Sequence, residues 1–243
     1  MELVGKVALV TGGAHRVGRA LALGLARAGA DVIVHYNASA AEAERTAGEV
    51  RTLGGHARTL QADFAADIDF RALIARVHRE FGRLDVLVNS ASIMERGVFE
   101  EVSLADWNRV LAINLRAPFF LSQAAAPLLA GQGGGLIVNI ADLSAFQTWP
   151  SYVHHAVSKA GLVHLTRQLA RALGPAVRVN GIAPGTVLEP EDRDEGDSAG
   201  GPDRGVVLRP GDPDDVVHAL MYLVGNEFVT GQVLIVDGGR TLL

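Results

Sequence analysis

The sequence contains no cysteine, which excludes disulfides, thiolate nucleophiles and cysteine-bound metals. Its eight histidines show no compact spacing of a metal cage, so no metal is expected. No run approaches the roughly 18 consecutive apolar residues of a membrane span. Glu2 is followed at once by a strand-like segment, which leaves no room for a secretory leader and points to a cytoplasmic location. Positive charge is not in surplus either: 22 Lys and Arg against 27 Asp and Glu give a formal charge of −5. That balance offers no electrostatic footprint for nucleic acid or an anionic membrane, and the expected partner is a small molecule. Lysine itself is scarce. Lys6 and Lys159 are the only lysines among the 22 cationic residues, so each needs a specific reason.

What is present is a regular alternation. Lys6 to Val10 is continuously apolar after its first residue, as suits a parallel strand buried on both faces. Leu21, Leu25 and Ala28 then recur at helical spacing up to Gly29, a stop signal. Further strands are expected at 32–34, 57–61, 86–88, 136–138, 177–179 and 232–236. Helices are expected near 39–53, 67–81, 103–130, 151–173 and 213–224. Strands separated by single helices imply right-handed crossovers and one α/β domain over 1–243. The fold class is a single-domain Rossmann fold, a doubly wound parallel β-sheet with helices on both faces. One stretch breaks the pattern: Glu189 to Arg204, within a loop spanning about 186–211, has seven acidic residues, two arginines and no apolar period. It reads either as a solvated insertion or as a lid, since ligands of such sheets bind beyond the carboxyl ends of the strands.

Thr11-Gly12-Gly13-Ala14-His15-Arg16-Val17-Gly18 lies between the first strand and the first helix. Glycines there permit a tight turn, and backbone N–H groups at the helix N-terminus can meet a pyrophosphate. The loop resembles the T-G-x-x-x-G-x-G fingerprint of the short-chain dehydrogenase/reductase family, with Arg16 in place of the middle glycine. The resemblance runs end to end. Asp63 matches the adenine-contacting aspartate, Asn89-Ser90-Ala91-Ser92 resembles the N-N-A-G segment, and Asn114 matches the active-site asparagine. Pro184-Gly185, followed by Val187, matches the turn beneath the nicotinamide, and Val236 to Gly239 the closing motif. Arg16, the N-x-A-S segment and Phe228-Val229-Thr230-Gly231 are most similar to pteridine and dihydromonapterin reductases within that family. The resemblance also implies a homotetramer.

The cofactor reading follows from a missing carboxylate. An NAD-specific site needs an acid at the end of the second strand to accept from the ribose 2′-OH. Here His35-Tyr36-Asn37-Ala38-Ser39 supplies neutral groups instead, and Asp31 stands at the wrong end of the strand. Arg16 would face a 2′-phosphate, which favours NADP(H); its bland reading is a solvated loop cation.

The family's hydride chemistry uses a serine, a tyrosine and a lysine, the last two four residues apart on one helix face. Lys159 fits the lysine and would hold the nicotinamide ribose, but the tyrosine position holds His155 and the serine position Asp142. Tyr152 stands seven residues from Lys159 and is not expected to substitute. Lys159 disfavours an imidazolium, whereas an ionised Asp142 supports one and fixes its tautomer. Three readings stay open: His155 donates the proton, Asp142 donates it, or His155 merely lines a pocket that has lost catalysis. For the substrate, the stacking aromatic after the N-x-A-S segment is replaced by Met94 beyond Ser92, while Phe146 and Trp149 could stack a flat heterocycle or simply pack. The expected activity is NADPH-dependent reduction of a C=N or C=O bond in a small planar substrate, with a pterin foremost. The alternatives are a 3-oxoacyl-type carbonyl reductase and a non-catalytic NADPH-binding protein.

Overall fold

The computed structural model describes residues 1–131, 133–188 and 205–243. The acidic stretch read as insertion or lid, 189–204, lies outside the described residues. The strands are β1 (Val7–Val10), β2 (Asp31–Tyr36), β3 (Ala57–Gln61), β4 (Val86–Asn89), β5 (Gly135–Ile140), β6 (Val177–Pro184) and β7 (Val233–Val236). The helices are α1 (Arg16–Arg27), α2 (Ala40–Thr52), α3 (Phe70–Phe81), α4 (Leu104–Leu111), α5 (Ala117–Gly131), α6 (Val153–Leu173) and α7 (Pro213–Gly225). They form one seven-stranded sheet in the order β3-β2-β1-β4-β5-β6-β7, with parallel pairing throughout. The order reverses beside β1, so the crevice outside the carboxyl ends of β1 and β4 is the expected ligand edge.

The strands' period of two divides the core between the faces. Ala8 and Val10 pack with Leu21, Leu25, Leu220 and Leu223 of α1 and α7, whereas Val7 and Leu9 pack with Leu73, Val77, Leu121 and Leu129 of α3 and α5. Local signals fix the helix ends. Asp69 accepts from the N–H groups of Arg71 and Ala72, so α3 starts at Phe70 and not near 67, and Gly82 ends it in the left-handed region. Reciprocal capping boxes, Ser103 with Asp106 and Asp212 with Asp215, open α4 and α7.

Three further boundaries differ from the sequence reading. The helix expected over 103–130 is broken by a π turn, Ala112–Arg116, between α4 and α5. β6 continues through Asn180 and Gly181, which look like turn residues. There Asn180 donates to the Val229 carbonyl (2.9 Å) and accepts from Gln232 N (3.1 Å), while a Cβ on Gly181 would stand 3.0 Å from Val233. α6 begins at Val153 after a 3-10 turn, Pro150–Tyr152, so Tyr152 is the N-cap and lies outside the helix that carries His155.

Lys6 has its own reason. At the amino ends of β1 and β4, Asp85 is fully buried and accepts from Val7 N (2.9 Å) and from Arg83 Nε and Nη2 (both 2.7 Å), with Lys6 Nζ 3.4 Å away. This anchor lies at the end of the sheet opposite the crevice.

Candidate active site

The loop after β1 is shaped by close approach. Gly12 has φ 64°, and a Cβ there would lie 2.9 Å from Ala91 Cα. A Cβ on Gly18 would lie 2.1 Å from the Gly12 carbonyl oxygen, so only glycine lets α1 start against the loop. The N-cap residue His15 makes no side-chain cap on α1, and the first turn of the helix holds no acid. Its N–H groups and the glycine cradle fit the pyrophosphate of a dinucleotide. Thr11 Oγ1 accepts from Ser90 N and Ala91 N at 2.9 Å each, joining the ends of β1 and β4.

Arg16 takes a φ of 49°, a left-handed conformation that ordinarily favours glycine. Its Nη2 donates to the Leu188 carbonyl at 3.3 Å, across from the loop to the segment beyond Pro184-Gly185 and the buried Val187. His15 is exposed beside it, Asn37 is exposed at the end of β2, Tyr36 packs on the α1 side of the sheet, and Ser39 is the N-cap of α2. Asp63 accepts from Ala65 N at 2.9 Å.

Two expected contact residues, His35 and Asn89, turn their side chains into the core beneath the groove. His35 accepts from Gly12 N through Nδ1 (3.2 Å), and its Nε2 meets the Ala62 carbonyl (3.1 Å), so its ring is not a donor to a 2′-phosphate. Asn89 Nδ2 donates to Asn139 Oδ1 (2.8 Å) within the sheet, and Asn139 in turn donates to Thr166 Oγ1 (2.9 Å). Both residues face the core because of their strand parity.

The π turn places Asn114 at the centre of the chemistry, as such turns often do. Asn114 Oδ1 accepts from Ile93 N (3.0 Å), and its Nδ2 donates to the Ile93 carbonyl (2.9 Å) and to Ser158 Oγ (3.0 Å). Both amide hydrogens are thereby used. His155 Nδ1, 3.0 Å from the same carbonyl, is therefore its donor, and the 3.3 Å approach of Asn114 Nδ2 to Nδ1 is secondary. The other ring nitrogen, Nε2, stands 2.7 Å from Asp142 Oδ2. Burial raises the Asp142 carboxyl, but the hydrogen bond to His155 and the charge of Lys159 outweigh it and bring it down to about 2. Asp142 also accepts from Ser144 N at 2.9 Å and from the Ser144 hydroxyl. Of the pair, Asp142 is the accessible member: its side chain is 21% exposed and that of His155 1%. Lys159 is buried, which lowers its pKa against the raising effect of Asp142, and Nζ donates to the Ile140 carbonyl at 2.9 Å.

Around this centre, Ser92, Met94 and Phe146 are exposed. Trp149 packs edge-on against Tyr152, and the Arg240 guanidinium lies 5.8 Å from its ring centroid while donating to Thr186 Oγ1 at 3.1 Å. Gly185 closes on the last motif, its N donating to the Val236 carbonyl at 2.9 Å. Sequence reasoning missed Ile93, Ser144, Ser158 and Arg240. Ile93 acts through its backbone and leaves no side-chain signal; Ser144, two residues after Asp142, had the spacing of a local turn.

Residues 12–241 match the family described as Enoyl-(Acyl carrier protein) reductase. The chain belongs to the short-chain dehydrogenase/reductase family. It is 33% identical to a 3-oxoacyl-[acyl-carrier-protein] reductase of Synechocystis sp., over 99% of this chain and 98% of that one. A short chain dehydrogenase from Burkholderia cenocepacia in complex with NADP superposes with a TM-score of 0.91 at 36% identity, covering 99% of this chain and 100% of that chain. The FolM alternative dihydrofolate reductase 1 from Brucella canis, complexed with NADP, gives a TM-score of 0.92 at 33% identity, covering 100% and 96%. Among the described residues no helix is long and apolar enough to cross a membrane.

Proposed function

We propose that this family member is an NADP(H)-dependent reductase acting on a C=N bond of a small planar heterocycle, a pterin being the foremost candidate. The observation that carries this reading is the Asp142–His155 pair standing where the family has serine and tyrosine. A carboxylate held near 2 beside the reacting bond favours a substrate that gains positive charge on protonation, as an imine nitrogen does. The same charge disfavours the alkoxide that develops when a ketone is reduced. The NADP complexes of the Burkholderia and Brucella proteins support the cofactor.

When bound, NADPH supplies the hydride. The α1 N-terminus and Thr11 to Gly18 would hold the pyrophosphate, Arg16 with Asn37 and Ser39 the 2′-phosphate, Asp63 the adenine, and Lys159 the nicotinamide ribose. Ser90, Ala91 and the Pro184 to Val187 turn line the nicotinamide end. His155 holds the proton on Nε2, and Asp142, the member that solvent reaches, passes it to the substrate nitrogen. Asn114 fixes the Ile93 carbonyl and so keeps His155 Nδ1 turned inward. Met94, Phe146 and Trp149 border the heterocycle.

The similarity to the Synechocystis protein supports a second reading, a 3-oxoacyl-type carbonyl reductase. NADPH oxidation measured against dihydropterins, simple ketones and a 3-oxoacyl thioester separates the two. Turnover of the thioester alone would replace the first reading with the second, and NADPH binding without any turnover would leave a non-catalytic binding protein. A cytoplasmic homotetramer belongs to the same proposal. Exposed Leu104, Phe119 and Phe120 on α4 and α5 supply apolar surface that an assembly would cover.

A further inference from the structure

Two segments reach the proposed cofactor groove from different strands: the glycine loop after β1 and the turn Ala62-Asp63-Phe64 after β3. Between them, on β2, lies His35, buried at 3% exposure. Its carbonyl oxygen accepts from Gly13 N at 3.0 Å, its Nδ1 faces Gly12 N at 3.2 Å, and its Nε2 faces the Ala62 carbonyl at 3.1 Å. A peptide N–H only donates and a carbonyl only accepts, so the ring carries its proton on Nε2 and a lone pair on Nδ1. The ring also lies flat on Phe64, with centroids 4.1 Å apart and planes 5° from parallel. The far side of the same turn is held as well: Arg116, the last residue of the π turn, donates from Nη2 to the Phe64 carbonyl (3.0 Å) and the Ala66 carbonyl (2.7 Å).

We propose that His35 is a positioning residue for the dinucleotide: one imidazole, with its proton on Nε2, fixes the loop that takes the pyrophosphate against the turn that takes the adenine. This rests on the NADP(H) binding proposed above. A protonated ring would set two donors, Nδ1–H and Gly12 N–H, against each other. Burial works against that state, pulling the imidazole down to about 4 despite the Ala62 carbonyl. A plain aromatic ring could keep the stack on Phe64 but neither hydrogen bond. The residue thus does more than fill the core, because both of its partners belong to ligand-facing loops.

The test is titration of the full-length protein with NADPH and with adenosine 2′,5′-bisphosphate, which lacks the nicotinamide half. His35→Phe keeps the stack and removes both hydrogen bonds. It should weaken both ligands by the same factor, about tenfold, the scale of losing one or two such bonds, and the loss should appear in the KM for NADPH more than in kcat. His35→Asn, whose Oδ1 can accept from Gly12, should recover most of the affinity. Unchanged affinity in His35→Phe would overturn the inference, and so would equal losses in His35→Phe and His35→Asn, which mean general disruption of the core. Should His35→Phe fail to fold, the imidazole nitrogen NMR spectrum of the unaltered protein decides. Nδ1 should be unprotonated, and the His35 resonances should move when the bisphosphate is added; an Nδ1–H tautomer or unmoved resonances overturn the proposal. If the unaltered protein binds neither ligand, the cofactor reading falls and this inference with it.

Discussion

Replacing Arg16 separates two energies that the structure sets against each other. A φ of 49° at Arg16 costs a residue with a Cβ roughly 1–2 kcal/mol and costs glycine almost nothing. Against that stands a proposed charge-assisted contact with a 2′-phosphate, worth roughly 1.5–3 kcal/mol. At about 1.4 kcal/mol per decade this is on the order of 10- to 150-fold in affinity. The bond to the Leu188 carbonyl is exposed and 3.3 Å long, and its loss is common to both substitutions. Arg16→Ala keeps the strain and removes the contact; Arg16→Gly removes both. Each should therefore erase the preference for NADPH over NADH by that factor. Only Arg16→Gly should hold or gain stability, by about 0–1 kcal/mol once the greater unfolded-state freedom of glycine is subtracted. Titration with the two cofactors and urea unfolding of the three proteins supply the numbers. A wild-type preference surviving in Arg16→Ala would refute the role of the guanidinium, and equal stability of the two variants would refute the strain.

Asp85→Ala should cost about 1–3 kcal/mol in urea unfolding, because it leaves the buried Val7 N–H without its acceptor and removes the partner of the half-buried Arg83. Although burial raises the Asp85 carboxyl, Arg83, the Val7 N–H and Lys6 hold it below its ordinary value. Its contribution is thus complete above the unfolded carboxylate value of about 3.9 and is lost as pH falls through the lower folded value; a stability gap between the unaltered protein and Asp85→Ala that does not shrink below about pH 4 would contradict this. Asn114→Ala should leave the Ile93 carbonyl without its amide donor and reduce stability by about 1–3 kcal/mol, with a larger loss in kcat than in cofactor affinity. Lys159→Ala should weaken NADPH binding and slow the chemical step together, since one ammonium serves both; an effect on one alone, seen by titration and single-turnover kinetics, would contradict its dual role.

The alternation of apolar strands and helices was enough to read the sheet, because burial on both faces leaves few polar residues in β1, β4 and β5. The spacing of His155 from Lys159 and Asp142 likewise pointed to the pair that the structure joins at 2.7 Å. What escaped reading depends on facts that residue types do not encode. The π turn at Ala112–Arg116 has an ordinary helical composition. Asn180 and Gly181 signal a turn until their partners across β6 and β7 are known. His35 was placed on the ligand side, yet it shares strand parity with Ile33, whose neighbours are Phe64 and α3; the same parity turns its ring inward. Backbone acceptors such as the Ile93 and Ile140 carbonyls have no sequence signature at all.

Asp142 and His155 are proposed above to move the proton in an NADPH-linked reduction. Single-turnover oxidation of bound NADPH by a dihydropterin, compared between the unaltered protein and His155→Ala, tests it most directly. The chemical step of His155→Ala should be slower by roughly 10²–10⁴-fold with NADPH affinity little changed, the usual scale for a positioned acid, and His155→Tyr, which restores the family's usual donor, should recover substantially. A His155→Ala protein that oxidises NADPH as fast as the unaltered one would contradict the claim.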